Sequence, residues 1–98
     1  MRTIKFRAWD KENERMCDVI DFACMNQPER YEVMQYTGLS DKNGKEIYEG
    51  DIVKYKYKTS VPFIVKFENT QVFSGYAIGK PEKYEVIGNI YENKELIN

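Results

Sequence analysis

Histidine is absent from this chain of 98 residues. With it go His-based acid–base catalysis, the common nucleophilic triads and the most frequent ligands of catalytic zinc. Cysteine is nearly absent. Cys17 and Cys24 are the only two, too few for a structural zinc site and without Cys-x-x-Cys spacing. They read as ordinary free thiols of a reducing cytoplasm. No apolar run approaches the roughly 18 residues of a membrane-spanning helix. The basic start Met1-Arg2-Thr3-Ile4-Lys5-Phe6-Arg7 is followed by no apolar segment, so no signal peptide and no membrane attachment are expected.

A dominant charge is also missing. The net charge is −1, and the halves are nearly balanced: eight Lys/Arg against ten Asp/Glu in residues 1–50, seven against six in residues 51–98. Bulk charge therefore gives no argument for nucleic-acid binding; only a local patch could. The six glycines, at 38, 44, 50, 75, 79 and 88, form neither a Gly-x-Gly-x-x-Gly nor a phosphate-loop pattern and suit turns and bends.

What is present is β-forming. Aromatic residues make up 14% of the chain, which favours strands, since flat rings suit a pleated, half-buried surface. Mixed charges at 32% beside a 42% hydrophobic share describe a soluble, folded surface and not a disordered segment. The length predicts one domain.

Ile4 to Trp9 alternates, with Ile4, Phe6 and Ala8 on one face and Lys5, Arg7 and Trp9 on the other. After the polar stretch 10–15, Met16 to Phe22 resumes extended character and completes a hairpin. Pro28 argues against a helix through 23–30. Tyr31 to Thr37 is a third strand, with Tyr31 and Val33 on one face and Met34 and Tyr36 on the other. Apolar residues on both faces predict a strand covered on both sides, or one lying between a core and another chain.

The centre of the chain is the run 36–58. Asn43-Gly44 is its strongest turn signal, and Glu49-Gly50 makes a second turn. From Asp51, Val53, Tyr55 and Tyr57 alternate with Ile52, Lys54, Lys56 and Lys58, which predicts rings inward and lysines outward. Pro62 separates this strand from Phe63–Glu68. Further strands are expected over 72–78 and 84–91, with Gly88 placed for a bulge or sharp bend. A single helical turn suits 92–96. The predicted fold is mainly β: a small SH3-like barrel over residues 41–98, with an N-terminal β layer or lobe over residues 1–40, the two sharing one core.

Tyr36-Thr37-Gly38-Leu39, the run Asp41 to Val53 and the closing Val86-Ile87-Gly88-Asn89-Ile90-Tyr91-Glu92-Asn93 resemble the YopX-like family of bacteriophage and prophage proteins, as does the opening Lys5-Phe6-Arg7-Ala8-Trp9-Asp10. The resemblance spans nearly the whole chain, with a shortened connection around Phe73 to Lys83. It implies a mostly β protein with a barrel-like portion in the cytoplasm of an infected or lysogenic bacterium. It implies no particular reaction and carries no catalytic residues to map.

Three patches have chemical potential. Lys54, Lys56 and Lys58, with Lys66 beside them, could follow a phosphate backbone, although Tyr55 and Tyr57 lie on the opposite face; a plain exposed lysine face that discourages edge pairing is the alternative. Glu46, Glu49 and Asp51 could hold magnesium for phosphodiester chemistry, or could belong to a solvated loop. Asp41-Lys42-Asn43-Gly44 fits no register of a calcium loop, because Gly44 and the ligand positions cannot be satisfied together. Trp9, Tyr36 and Tyr48 could anchor an interface or fill the core. The leading expectation is a non-enzymatic phage accessory protein that binds a protein partner, its own copies or a host or phage protein, with no catalytic residue, cofactor or metal. A nucleic-acid-binding module is the alternative, and a metal-dependent enzyme the third.

Overall fold

The computed structural model describes residues 4–18, 26–55, 61–69, 74–76 and 80–97. Among the described residues nine strands carry the fold: β1 Phe6–Asp10, β2 Arg15–Cys17, β3 Tyr31–Ser40, β4 Glu46–Tyr48, β5 Asp51–Tyr55, β6 Phe63–Ile64, β7 Phe67–Asn69, β8 Ser74–Tyr76 and β9 Tyr84–Asn89. Two short 3-10 turns, Pro81–Lys83 and Lys94–Ile97, complete it, and no α-helix occurs among the described residues. The protein is all-β with a curled, half-barrel sheet.

One antiparallel sheet has the order β2-β1-β3-β4, a second β6-β5-β9, and β7 with β8 forms a two-stranded ribbon. The segment from β6 to β7 changes partners as it runs. Phe63 and Ile64 pair with Val53 and Ile52, Val65 exchanges hydrogen bonds with Gly50 and Asp51, and Phe67 then pairs with Tyr76. This hand-over bends the second half toward a barrel.

Glycines are placed where the chain turns. Gly38 has φ +85° inside β3, where the register slips between Tyr36↔Tyr48 and Leu39↔Ile47. The buried hydroxyl of Thr37 repairs that irregularity: it donates to Ile47 O at 2.7 Å and accepts Leu39 N–H at 3.1 Å. In β9, partners step from Ile52↔Gly88 to Val53↔Val86, leaving Ile87 as the extra residue of a bulge beside Gly88.

Three short polar side chains close turns by capturing backbone N–H groups, the usual role of Asx residues. Asp10 Oδ1 accepts Glu12 N and Asn13 N. Asp41 Oδ1 accepts Asn43 N and Lys45 N, while its Oδ2 reaches Val86 N on β9 at 3.0 Å. Asn89 Oδ1 accepts Tyr91 N and Glu92 N. Asp41 thus ties the Asn43–Gly44 turn to the second sheet, with Lys42 N–H donating to Tyr84 O beside it.

The core is Ile47, Val53 and Val65, with Leu39, Phe63, Tyr84 and Val86 packed around them. Tyr84 meets Tyr55 and Phe63 edge-on, at centroid distances of 5.1 and 5.5 Å. Each fully buried aliphatic side chain contributes roughly 1.5–3 kcal/mol.

Several expectations need correction. Ile52 does not share the fate of the outward face: it is fully buried, as is Val53, because β5 begins with both faces covered. β3 is not covered on both sides, since Met34 and Tyr36 are buried while Val33 stands 38% exposed. The hairpin's second strand ends at Cys17. Val19 to Phe22, like Val72, Phe73, Ala77 and Ile78 of the later expected strand, lie outside the described residues.

Candidate functional site

The alternation of β1 hides the first feature of the site region. Ile4 and Phe6 lie toward solvent, whereas Arg7 is buried. Its Nη2 donates to Asp51 Oδ1 at 2.7 Å and to Glu49 O at 3.3 Å, and its Cζ lies 4.7 Å from the centre of the Tyr48 ring. Asp51 is equally buried, and its Oδ2 accepts Tyr48 N–H at 2.8 Å. Burial pushes the Asp51 carboxyl above its ordinary range despite the facing guanidinium. Arg7 Nε lies on the same guanidinium edge as Nη2 and is buried without a hydrogen-bond partner among the described residues. This pair joins the first sheet to the start of the half-barrel, and breaking it would leave an uncompensated charge.

In front of Arg7 lies a polar hollow of about 450 Å³, lined by Lys5, Arg7, Asp18, Lys45, Glu46 and Tyr48. Its charges are largely paired: Lys5 with Glu46, Arg7 with Asp51. The hydrogen bond from Lys5 to Glu46 raises the lysine's pKa. Lys5 also lies over the Tyr36 ring, whose centre is 5.5 Å from that of Tyr48.

The second hollow is of opposite character. Val33 and Met34 of β3, Ile64 and Phe67 of the β6–β7 run, and Ile90 and Tyr91 after β9 enclose a groove of about 370 Å³. Gly50 forms part of its wall at φ +84°; a Cβ there would stand 3.3 Å from Met34 Sδ, so glycine lets the β4–β5 turn lie against the strand. Glu49 and Lys66 supply one charge of each sign. Glu49 is anchored because its Oε1 accepts Gln35 N–H at 2.7 Å. Lys66 is exposed and makes no ion pair among the described residues. Val33, at 38%, and Phe67, at 49%, keep large apolar area in water. Tyr91, whose hydroxyl pKa burial raises, stacks on Trp9 at 5.6 Å and 16°.

The residues singled out in the sequence are distributed among these features. Tyr36 is buried, and Tyr48 is half-buried beneath Arg7, so both rings are used within the fold. Trp9 backs the groove through Tyr91. The carboxylates of Glu46, Glu49 and Asp51 are drawn to three different partners, Lys5, the Gln35 amide and Arg7. No cluster of three or more potential metal-ligating side chains occurs among the described residues. Lys54 is half-buried on β5 opposite Glu85 of β9, while Lys66 lies at the groove; Lys56 and Lys58 lie outside the described residues. Cys17 is a half-buried free thiol, and Cys24 also lies outside them. No helix among the described residues is long and apolar enough to cross a membrane.

The groove-forming residues Val33, Ile64, Phe67 and Ile90 were not singled out from the sequence. One signal was available: apolar Val33 and Met34 side by side on a strand, where one face should be polar.

This all-β fold with a curled, half-barrel sheet is similar to that of protein EF1440 from Enterococcus faecalis. That crystal structure covers 100% of both chains at 24% identity with a TM-score of 0.73, a likeness that shows the fold. Residues 20–98 match the family described as YopX protein. The chain belongs to the YopX family. Comparison with curated proteins gave no significant match.

Proposed function

We propose that this protein is a phage or prophage accessory module that acts inside the bacterial cell by binding another protein chain, and not by catalysis. The groove carries this reading. Apolar side chains held partly in water around a concave floor are characteristic of protein-docking surfaces, and Phe and Tyr are favoured anchors there. The ionisable side chains give less support to an enzyme. Asp10, Asp41 and Asp51 are each committed to backbone amides or to an arginine within the fold.

A photo-crosslinking residue placed at Val33, with Lys45 in the polar hollow as the control position, tests the reading in bacterial cells that carry the phage. Protein adducts at position 33 and none at position 45 are expected. Equal labelling at both positions, or adducts at 33 that nuclease removes, would overturn it. The second of those results would indicate nucleic acid.

A further inference from the structure

We infer that the chain seated in the groove is a second copy of this protein, related to the first by a two-fold axis; the inference rests on the docking reading above. In a two-fold contact the same patch faces itself, so it must contain both halves of every interaction. This patch does. Phe67 and Val33 project into water beside a floor formed by Met34 and Val65, which are 4% and 3% exposed, so the patch carries both apolar knobs and a hollow. Its charges match in the same way, with Lys66 and Glu49 on one groove. Across the axis, each Lys66 faces the partner's Glu49, so the ion pair forms twice. A foreign partner would have to supply all of these features itself.

The test is sedimentation equilibrium from low to high micromolar protein. The wild type is expected to move from the mass of one chain toward that of two. Lys66→Glu places like charges across the axis, and should weaken the dimer roughly tenfold or more without moving the melting temperature measured at concentrations where the chain is monomeric. Glu49→Lys should weaken it likewise. Mixing the two variants should restore a dimer, because both ion pairs re-form in the heterodimer and in neither homodimer. Since Glu49 also accepts the Gln35 amide, a second measurement avoids substituting it. Carbodiimide treatment of mixed light and ¹⁵N-labelled wild type should join Lys66 of one copy to Glu49 of another.

A chain that stays monomeric at every concentration and gives no such cross-link overturns the inference. If position 33 still captures a different protein, the docking reading stands. If it captures nothing, both fall.

Discussion

The two hollows are of similar size and teach opposite lessons. The polar one is lined by five charged side chains and a tyrosine, yet its most buried charge is neutralised from within: Arg7 by Asp51, with Glu49 O and the Tyr48 ring beside it. The Arg7–Asp51 pair at its back joins the two sheets. The apolar one has a buried floor, exposed Val33 and Phe67, and a lysine without an ion pair among the described residues. At the polar hollow the most buried charge is answered within the fold, whereas at the apolar one hydrocarbon is left in water.

Substitutions that strike the first hollow should unfold the protein, and those that strike the second should leave it folded. The largest effect is expected from Asp51→Ala, which strands a buried guanidinium and should cost about 3–5 kcal/mol in urea unfolding. If the Arg7–Asp51 pair is structural only, Arg7→Met with Asp51→Leu should recover much of that loss.

Asp41→Ala comes next. It removes the acceptor of three backbone N–H groups, those of Asn43, Lys45 and Val86, and should cost about 1–3 kcal/mol. Gly88→Ala should cost a similar amount, about 1–3 kcal/mol, because the added Cβ would lie 2.5 Å from Asn93 Oδ1 and 2.8 Å from Asn93 Cβ. The nearness of Asn93 Cβ means that rotating the amide alone cannot relieve the clash.

Acid titration sharpens the contrast further. Hydrogen bonding from Arg30 holds the Asp10 carboxyl far below its ordinary value of 3.8. Burial acts to raise the Asp41 carboxyl, but the amides of Val86, Lys45 and Asn43 hold it below that same value. For both groups the folded state binds its proton less readily than the unfolded chain. Their stabilisation is therefore complete above about pH 3.8 and is lost as pH falls through the lowered folded values. Asp51 has the opposite sign: with its folded pKa raised, its contribution declines as pH rises from 3.8 through the raised value. Asp10→Asn and Asp41→Asn should each flatten the acid limb of a melting-temperature profile, whereas Asp51→Asn should not.

The smallest effect on stability belongs to the groove. Val33→Asp, on an exposed strand position, should change unfolding by less than about 0.5 kcal/mol while abolishing self-association.

Much of the fold was legible in the sequence because local rules agreed with the tertiary outcome. Asn43-Gly44 turns as its residues prefer, with Gly44 at φ +80°, and Gly88 sits beside the bulge it was expected to permit. Tyr55 and Tyr84 meet as rings turned toward a shared core should. The candidate site was less legible. Alternation in β1 separates two faces but cannot say which is inside, and here both are partly buried: Ala8 and Asp10 on one, and on the other Arg7, drawn in by Asp51, 44 residues away. The groove is assembled from four stretches far apart in the sequence, at 33–34, 49–50, 64–67 and 90–91, which no local pattern brings together. Only the paired apolar residues Val33 and Met34 hinted that one face of β3 was left for something else.

Hydrogen exchange followed as protein concentration rises tests the central contrast most directly. Amides of β7 and of residues 33–34 beside the groove should become protected, while those of Lys45 and Glu46 at the polar hollow should exchange at an unchanged rate. Protection confined to the polar hollow, with the groove exchanging equally fast at every concentration, would contradict the assignment of the two sites.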